Sequence, residues 1–160
     1  MIFITVGSQK FQFNRLLKKI DELIECKVIN EEVFAQIGAS DYKPKNFRYR
    51  NYLNGDEFKE YIKLSDIVIT HGGTGVIMGA VKQGKKVIAV PRLKRYGEHV
   101  DDHQLQLICQ FTEQNLICGV QDCEELENVL KCIKSRDFNT YTSNTQLYIS
   151  SIETFLESIN

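Results

Sequence analysis

The chain has no surplus of charge of either sign. Its 160 residues include 20 lysines and arginines against 21 aspartates and glutamates, a formal net charge of −1. Proteins that bind nucleic acid or anionic membranes through their overall field carry a clear positive surplus. We therefore expect no nucleic-acid partner, and an anionic surface could attract this chain only through a local basic patch.

Long apolar runs are missing as well. No stretch approaches the roughly 20 consecutive apolar residues of a membrane-spanning helix. Met1 leads directly into the apolar residues 2–6, without the basic start and long apolar stretch of a signal peptide. The sequence predicts a soluble, cytoplasmic protein that meets a membrane only through its surface or through a partner.

Metal-ligand spacing is also absent. The five cysteines are scattered at Cys26, Cys109, Cys118, Cys123 and Cys132. With neither a CxxC pair nor a Cys/His pattern, a zinc site is not expected, and reduced thiols suit the cytosol. His99 and His103 are four residues apart and could share a helix face, but the HExxH glutamate is missing between them. We expect no metal and no cofactor.

Short apolar strands alternate with amphipathic helices along the whole chain. Strand patterns occupy residues 2–6, 33–37, 47–53, 67–70, 87–90 and 116–120. Helical spacing predicts helices at residues 11–26, 56–64, 76–83, 101–114, 122–133 and 140–159, with Asn54 or Asp56 capping the second. This alternation predicts one α/β domain, a Rossmann-like parallel sheet with helices on both faces.

The most informative stretch is an apolar strand that runs into a glycine loop, His71-Gly72-Gly73-Thr74-Gly75, and then into a helix. Glycine lets the backbone approach an anion, and amides at a helix start point at it with the positive end of the dipole. Neither GxGxxG nor GxxxxGK[ST] occurs, so the loop is not a standard dinucleotide or P-loop site. We interpret it as a diphosphate cradle. A tight turn whose glycines serve only packing is the alternative.

Polar or glycine residues follow three further strands, at Gly7-Ser8, at Gly38-Ala39-Ser40 and after Pro91. Ligands of parallel sheets bind at the carboxyl ends of strands, so these loops and the cradle should share one edge. Arg92, in the loop after Pro91, could neutralise a diphosphate or contact an anionic lipid, or belong to an exposed basic loop.

A second cluster of polar residues lies beyond the fifth strand. It consists of Glu98, His99, Asp101, Asp102, His103 and Gln104. Carboxylates accept hydrogen bonds and amides both donate and accept, so such a cluster can grip several sugar hydroxyls. A solvated helix start, capped by Asp101 or Asp102, is the alternative.

Four ordered motifs together resemble a known family, and the resemblance covers nearly the whole chain. They are Thr5-Val6-Gly7-Ser8-Gln9-Lys10-Phe11, Gln36-Ile37-Gly38, His71-Gly72-Gly73-Thr74-Gly75, and residues 91–104. They are similar to the C-terminal, donor-binding half of GT-B glycosyltransferases of family 28. That family includes the GlcNAc transferases of peptidoglycan synthesis and the cytosolic subunit of the two-chain enzyme that adds the second GlcNAc to the dolichol-linked precursor. Residues 91–104 particularly resemble bacterial β-1,4-galactosyltransferase subunits of capsule and exopolysaccharide synthesis.

The resemblance implies roles for individual residues. Gly72, Gly73, Thr74 and Gly75, with His71, would hold the donor diphosphate. Asp102, His103 and Gln104 would contact the transferred sugar, and Gly7, Gln36, Gly38 and Arg92 would lie near the sugar or nucleotide. The candidate general bases are His71, Glu98 and His99, unless a partner supplies the base. The single-chain relatives bind ribose with a glutamate whose counterpart here is near Gly79, so ribose recognition must differ.

A GT-B enzyme has two Rossmann-like halves, and 160 residues account for one. The resemblance therefore implies a catalytic, donor-binding subunit of an inverting hexosyltransferase that uses a UDP-sugar, with galactose favoured. A membrane-associated partner would hold the lipid-linked acceptor, recruit the chain to the inner face of the membrane, and pack on the helix at residues 140–159. The alternatives are a non-catalytic UDP-sugar-binding or regulatory module, a sugar-nucleotide epimerase or hydrolase, and a scaffold.

Overall fold

A computed structural model describes residues 1–143 and 145–159 of the chain, and within them lie six strands and six α-helices. The strands are β1 (Ile2–Thr5), β2 (Val33–Gln36), β3 (Arg48–Arg50), β4 (Ile67–Thr70), β5 (Lys86–Ala89) and β6 (Cys118–Gly119). The helices are α1 (Asn14–Glu25), α2 (Gly55–Leu64), α3 (Thr74–Val81), α4 (His103–Glu113), α5 (Leu126–Cys132) and α6 (Thr145–Ser158). None of these helices is long and apolar enough to cross a membrane.

The strands pair in parallel in the order β3-β2-β1-β4-β5-β6. Along the chain, β2 and β3 are added on one side of β1, and β4 then pairs with the other side of β1. In open α/β sheets this reversal creates a crevice at the carboxyl ends of the two central strands, where ligands bind. Here the crevice lies between the ends of β1 and β4. The predicted Rossmann-like parallel sheet is confirmed.

Both faces of the sheet are covered, because successive strand residues point to opposite sides. Ile2 and Ile4 of β1 belong to a core shared with α1 and α5. Phe3, between them in sequence, belongs to a second core shared with α2, α3 and α4. The strands are fully buried, with one half-buried residue at the start of β5, except for the edge strands β3 and β6.

Several element ends differ from the sequence-based expectation. The third strand is only Arg48–Arg50, at the sheet edge, and α3 begins at Thr74, before the apolar helical pattern becomes visible. Asn54, rather than Asp56, caps α2, and it forms a reciprocal capping box with Glu57. The terminal helix begins at Thr145 and not at residue 140.

Two glycines let the loops after β1 and β2 touch at the carboxyl edge. Gly7 and Gly38 have φ values of +79° and +56°, in the left-handed region where side chains are strained. A Cβ atom on Gly38 would stand 2.7 Å from the carbonyl oxygen of Gly7. The edge of the candidate crevice therefore depends on glycine at this position.

Replacing Gly38 by alanine should lower the free energy of unfolding by about 2 kcal/mol or more, because it combines left-handed strain with a backbone clash. Urea unfolding measures the change. Gly79→Ala is the matched control: Gly79 lies inside α3, with nothing within 4 Å of the place a Cβ would take, so alanine should stabilise by up to about 1 kcal/mol. Equal effects of the two substitutions would contradict the close approach at Gly38.

Candidate functional site

The start of α3 presents four backbone amides at the carboxyl end of β4. The amides of Gly72, Gly73, Thr74 and Gly75 have no acceptor among the described residues. The N-cap is Gly73, which has no side chain to bond the amides, and no acidic residue stands in the first turn. These amides form the positive end of the helix dipole, so the helix start is prepared for an anion.

The glycines of this loop also serve packing, as the alternative interpretation proposed. A Cβ on Gly72 would lie 2.8 Å from Cδ1 of Ile108 in α4, whereas nothing lies within 4 Å of a Cβ on Gly75. Packing therefore explains Gly72 but not Gly75. The open space at Gly75 leaves room for a ligand next to the amides.

His71 fills the crevice between β1 and β4. Its ring is buried between two glycines: a Cβ on Gly7 would stand 2.6 Å from Cε1, and a Cβ on Gly73 would stand 2.8 Å from Nε2. Nδ1 lies 3.4 Å from the carbonyl oxygen of Thr5 and 3.4 Å from Oγ1 of Thr70. Nε2 has no hydrogen-bond partner in the described part of the chain, so it is free to meet a ligand.

The imidazole of His71 is neutral at physiological pH. Burial lowers its pKa from 6.5 to about 4, and the nearby positive charge of Arg92 contributes to the same shift. A group with so low a pKa is a weak general base near pH 7. A hydrogen bond from the neutral His71 to a phosphate requires the tautomer in which Nδ1 accepts from Oγ1 of Thr70 and Nε2 carries the proton; in the other tautomer Nδ1 donates to Thr5 and Nε2 is an acceptor.

Arg92 is fully buried and does not reach the surface as an exposed basic loop would. Its Nη2 donates to the carbonyl oxygens of Val6, at 2.5 Å, and Phe11, at 3.0 Å, which ties it to the loop after β1. Nε and Nη1 are buried without a partner in the described part of the molecule. Burial lowers the pKa of Arg92 to about 10, so the residue keeps its positive charge at neutral pH, close enough to affect His71.

Gln36 is buried and uses both ends of its amide within the protein. Its Nε2 is 3.4 Å from the carbonyl oxygen of Gly7, and its Oε1 accepts from the amide of Leu53 at 3.1 Å. The neighbouring Gly38 donates its amide to the carbonyl oxygen of Asn51. In this geometry Gln36 and Gly38 shape the loops of the crevice. Nε2 of Gln36 faces two protein oxygens, Oγ1 of Thr5 and the carbonyl oxygen of Gly7, whereas Oε1 keeps one acceptor position besides its bond with Leu53.

Glu98 is buried, and both of its oxygens are occupied. Nε and Nη2 of Arg15 donate to Oε1 and Oε2 at 3.1 and 3.0 Å, and the amide of Leu93 donates to Oε2 at 3.0 Å. A carboxylate held in this way is an anchor. The structure favours that role for Glu98 over the catalytic role predicted from the sequence.

His99 is half-buried in the same loop and has a defined orientation. Its ring lies 5.1 Å from the ring of Phe11, and its Nδ1 is 3.1 Å from Oδ1 of Asp101. Oδ1 of Asp101 also accepts the amide of His103, the first residue of α4, at 3.1 Å, whereas the N-cap residue Asp102 makes no capping bond with its side chain. This backbone hydrogen bond is the largest cause of the lowered pKa of Asp101. His99 is close enough to His71 to help lower its pKa.

The start of α4 brings the candidate sugar-binding residues to the cradle. Gln104 is buried, and its Cβ lies 3.6 Å from where a Cβ of Gly72 would be. Its Oε1 accepts from the amide of Arg92, whereas its Nε2 has no partner among the described residues. Asp102 accepts from the amide of Lys94 at 2.8 Å, and His103 is exposed. No group of three or more potential metal ligands is found in the described residues.

A model of the glycosyltransferase family 28 C-terminal domain matches residues 1–157. The chain belongs to this family. It is 26% identical over 141 residues to the UDP-N-acetylglucosamine transferase subunit ALG13 of Mus musculus, covering 76% of this chain and 11% of the mouse protein. It is 29% identical over 97 residues to a peptidoglycan-precursor N-acetylglucosamine transferase of Borreliella burgdorferi, covering 59% of this chain and 25% of that protein.

The fold of the family 28 domain also matches solved GT-B glycosyltransferases. The structure of the kitacinnamycin glycotransferase superposes with a TM-score of 0.61 at 14% identity, covering 84% of this chain and 35% of that one. At this identity the likeness concerns the fold alone. The chain spans only 11% and 25% of the length of the two relatives. The activities of those whole proteins can therefore only be proposed for this chain.

One residue of the family 28 domain has a larger role than its sequence context suggests. Arg15 contacts Glu98, Asp122 and the carbonyl oxygen of Pro91 from the first turn of α1. A cation at a helix N-terminus is unfavourable toward the helix dipole. That local conflict is the signal, present in the sequence, that Arg15 has a tertiary partner.

The buried, neutral state of His71 has a measurable consequence. Below pH 6.5 His71 is protonated in the unfolded chain, whereas in the folded domain it stays neutral down to about pH 4. The free energy of unfolding is therefore unaffected by His71 above pH 7 and decreases as the pH falls from 6.5 to 4. The expected loss from His71 is about 2 kcal/mol at pH 5 relative to pH 7.5. Urea unfolding at both pH values checks this. His71→Gln should reduce the difference, whereas His103→Gln at an exposed site should not. An undiminished difference in His71→Gln would contradict the assignment.

Proposed function

We propose that this chain is the donor-binding, catalytic subunit of an inverting glycosyltransferase that uses a UDP-sugar. The observation that carries the proposal is the start of α3, where four amides lack acceptors among the described residues, beside a neutral His71 whose pKa the charge of Arg92 helps to lower. Amides and a buried cation of this kind can stabilise the charge that develops on a departing diphosphate. The acceptor hydroxyl attacks the anomeric carbon in line as UDP leaves.

The sugar lies, in this proposal, between the cradle and the start of α4. Gln104 lies next to Gly72 and has its amide Nε2 available, and Asp102 and His103 directly precede it in the chain. Amides and carboxylates at this position can bond several sugar hydroxyls. We place a hexose here. The resemblance of residues 91–104 favours galactose and capsule or exopolysaccharide synthesis, whereas the two relatives are named for N-acetylglucosamine.

His99 is the general base that we propose for this chain. Both oxygens of Glu98 are engaged, and the pKa of His71 is about 4. His99 is oriented by Asp101 through Nδ1, which leaves Nε2 for the acceptor hydroxyl. A base from a partner is the alternative, and retained transfer in His99→Gln would favour it.

A partner protein fits the surface of α6. Apolar side chains on this helix are exposed: Tyr148, Ile149, Ile152, Phe155 and Leu156, followed by Ile159. Ile149, Ile152, Leu156 and Ile159 are spaced by three, four and three residues, which forms a coiled-coil-like seam. The helix carries two glutamates and no lysine or arginine, so it does not suit an anionic membrane surface. We propose that it packs on a membrane-associated, acceptor-binding subunit that recruits this cytoplasmic chain. The mouse relative is itself named a subunit.

The proposed cradle predicts that the chain alone binds UDP and that Gly75→Asp loses this binding. An aspartate there repels the diphosphate but favours the helix dipole, so UDP affinity should fall by at least about tenfold while the fold persists. Calorimetry measures the affinity. Gly55→Asp is the matched control, since Gly55 also begins a helix and has nothing within 4 Å of a Cβ. Equal affinity of both variants would contradict the cradle.

A transfer assay separates the proposed enzyme from its rivals. The chain is co-expressed with the product of the neighbouring gene and given lipid-linked acceptor with UDP-galactose, UDP-glucose, UDP-GlcNAc or UDP-glucuronate. Transfer from one donor, lost in Gly75→Asp, is the expected result. UDP-sugar binding without transfer from any donor would indicate a regulatory module. Turnover by the single chain without acceptor would indicate an epimerase or hydrolase, and absence of nucleotide binding would indicate a scaffold.

The seam on α6 predicts that Ile152→Arg breaks the complex with the partner. A buried hot-spot side chain is worth about 2 kcal/mol or more, so the affinity should fall about thirtyfold. Co-purification and a binding titration of the two subunits measure the effect. Thr154→Arg places the same charge on the opposite face of the helix and should leave the complex intact. Loss of the complex in both variants, or in neither, would contradict the seam.

A further inference from the structure

The loop between β5 and α4 carries Asp102 and leads into His103 and Gln104 at the start of α4, but it has little structure of its own. It contains one 3-10 turn, Lys94–Tyr96, and most of residues 94–102 are exposed. Exposed loops without a packed interior are mobile unless side chains tie them down. The position of this loop over the cradle must therefore come from anchors elsewhere in the domain.

Arg15 contacts Pro91 and Glu98, which lie at the two ends of the first part of this loop. Its guanidinium binds Glu98 in a bidentate pair, and its Nη2 also donates to the carbonyl oxygen of Pro91 at 3.1 Å. The ring of Tyr96, between these two contacts, lies 4.7 Å from the guanidinium carbon. A planar guanidinium in a bidentate pair fixes direction as well as distance. Arg15 thus fixes residues 91–98 relative to α1.

Three consecutive backbone amides connect the position of this loop to the residues that are proposed to bind the sugar. The amides of Arg92, Leu93 and Lys94 donate, respectively, to Gln104 at 3.0 Å, to Glu98 at 3.0 Å and to Asp102 at 2.8 Å. Glu98 holds the middle amide and is itself held by Arg15. The two outer amides hold the two residues proposed to read the sugar.

We propose that the Arg15–Glu98 ion pair is a positioning device that determines recognition of the donor sugar. It sets the places of Asp102 and Gln104 through the three amides, without itself touching the donor. The diphosphate cradle at Gly72–Gly75 is built on β4 and α3, and among the described residues it has no hydrogen bond to this pair. The inference rests on the proposed function, since it assumes that the cradle takes a UDP-sugar.

The matched comparison uses a second ion pair on the same helix. Lys19 of α1 binds Glu124 at 2.7 Å and leaves the loop at residues 91–102 untouched. Glu124→Gln therefore removes one carboxylate charge from the same face of the domain without loosening the three amides. Glu98→Gln and Arg15→Lys are the test variants. Arg15→Lys keeps the charge but loses the bidentate geometry.

Calorimetry on the full chain measures the dissociation constants of UDP, UDP-galactose and UDP-GlcNAc. For Glu98→Gln and Arg15→Lys we expect UDP affinity within about twofold of the unsubstituted chain. The affinity of whichever UDP-sugar that chain binds best should fall about tenfold, the effect of one lost hydrogen bond to the sugar. Glu124→Gln should change neither constant. Selective loss of the sugar-dependent affinity in the folded Arg15→Lys variant, and in Glu98→Gln where that variant folds, supports the proposal.

Other outcomes overturn it. If the ion pair had a merely structural role, its loss would lower the fraction of binding-competent protein, or it would lower the affinities for UDP and for the UDP-sugar equally. The ratio of the two affinities would then be unchanged. An unchanged ratio in the folded Arg15→Lys variant overturns the proposal even if Glu98→Gln fails to fold. A selective loss in Glu124→Gln as large as in the test variants also overturns it. Failure of the unsubstituted chain to bind UDP is a distinct result, which rejects the proposed function itself and this assignment with it.

Discussion

The pairing of β1 with β4 is the constraint on which the candidate site depends. The register aligns Thr5 with Thr70, so the residues that follow, the loop at Gly7 and the imidazole of His71, meet at the carboxyl edge. A ring fits there only because both neighbouring backbone positions are glycine. The same turn that places His71 also starts α3 with its amides unbonded. Sheet order, glycine positions and anion site are thus one geometric arrangement rather than three separate features.

Charge is distributed unevenly in a chain that is almost neutral overall. Arg15 is balanced by Glu98 and Asp122, but Arg92 bonds only backbone carbonyls and keeps two buried nitrogens without partners in the described residues. A buried cation without an ion-pair partner is costly, and the attraction of the Glu98 charge offsets only part of the cost of burying Arg92. In the function proposed above, the diphosphate of the donor supplies the opposite charge. The neutrality of His71 has the same origin, since burial and the charge of Arg92 both oppose its protonation.

The sequence could predict whatever depends on local pattern. Strand and helix alternation predicted the parallel sheet, and the glycine loop predicted the helix start whose amides lack acceptors in the described part of the chain. Side-chain burial was not predictable in the same way. Glu98 and Arg92 are polar residues in a polar stretch, which normally indicates exposure, yet both are fully buried through partners distant in sequence, such as Arg15 and Phe11. Contacts between residues that are distant in sequence do not produce a periodic pattern in the sequence.

The proposed cradle and the segment that leads to the proposed assembly helix lie at opposite ends of α3. The cradle lies at its N-terminus, whereas Lys82, which follows its last residue, packs on Tyr141 in the segment that leads to α6. Eight helical residues span about 12 Å, so a subunit seated on α6 can leave the cradle open to solvent. In the function proposed above, a donor site that needs no residue of the partner suits a chain that binds its nucleotide-sugar by itself and meets the acceptor on a second protein. The proposed anchor of the sugar-reading loop, the Arg15–Glu98 pair, also lies within this chain, so on that proposal the loop is positioned without a contribution from the partner.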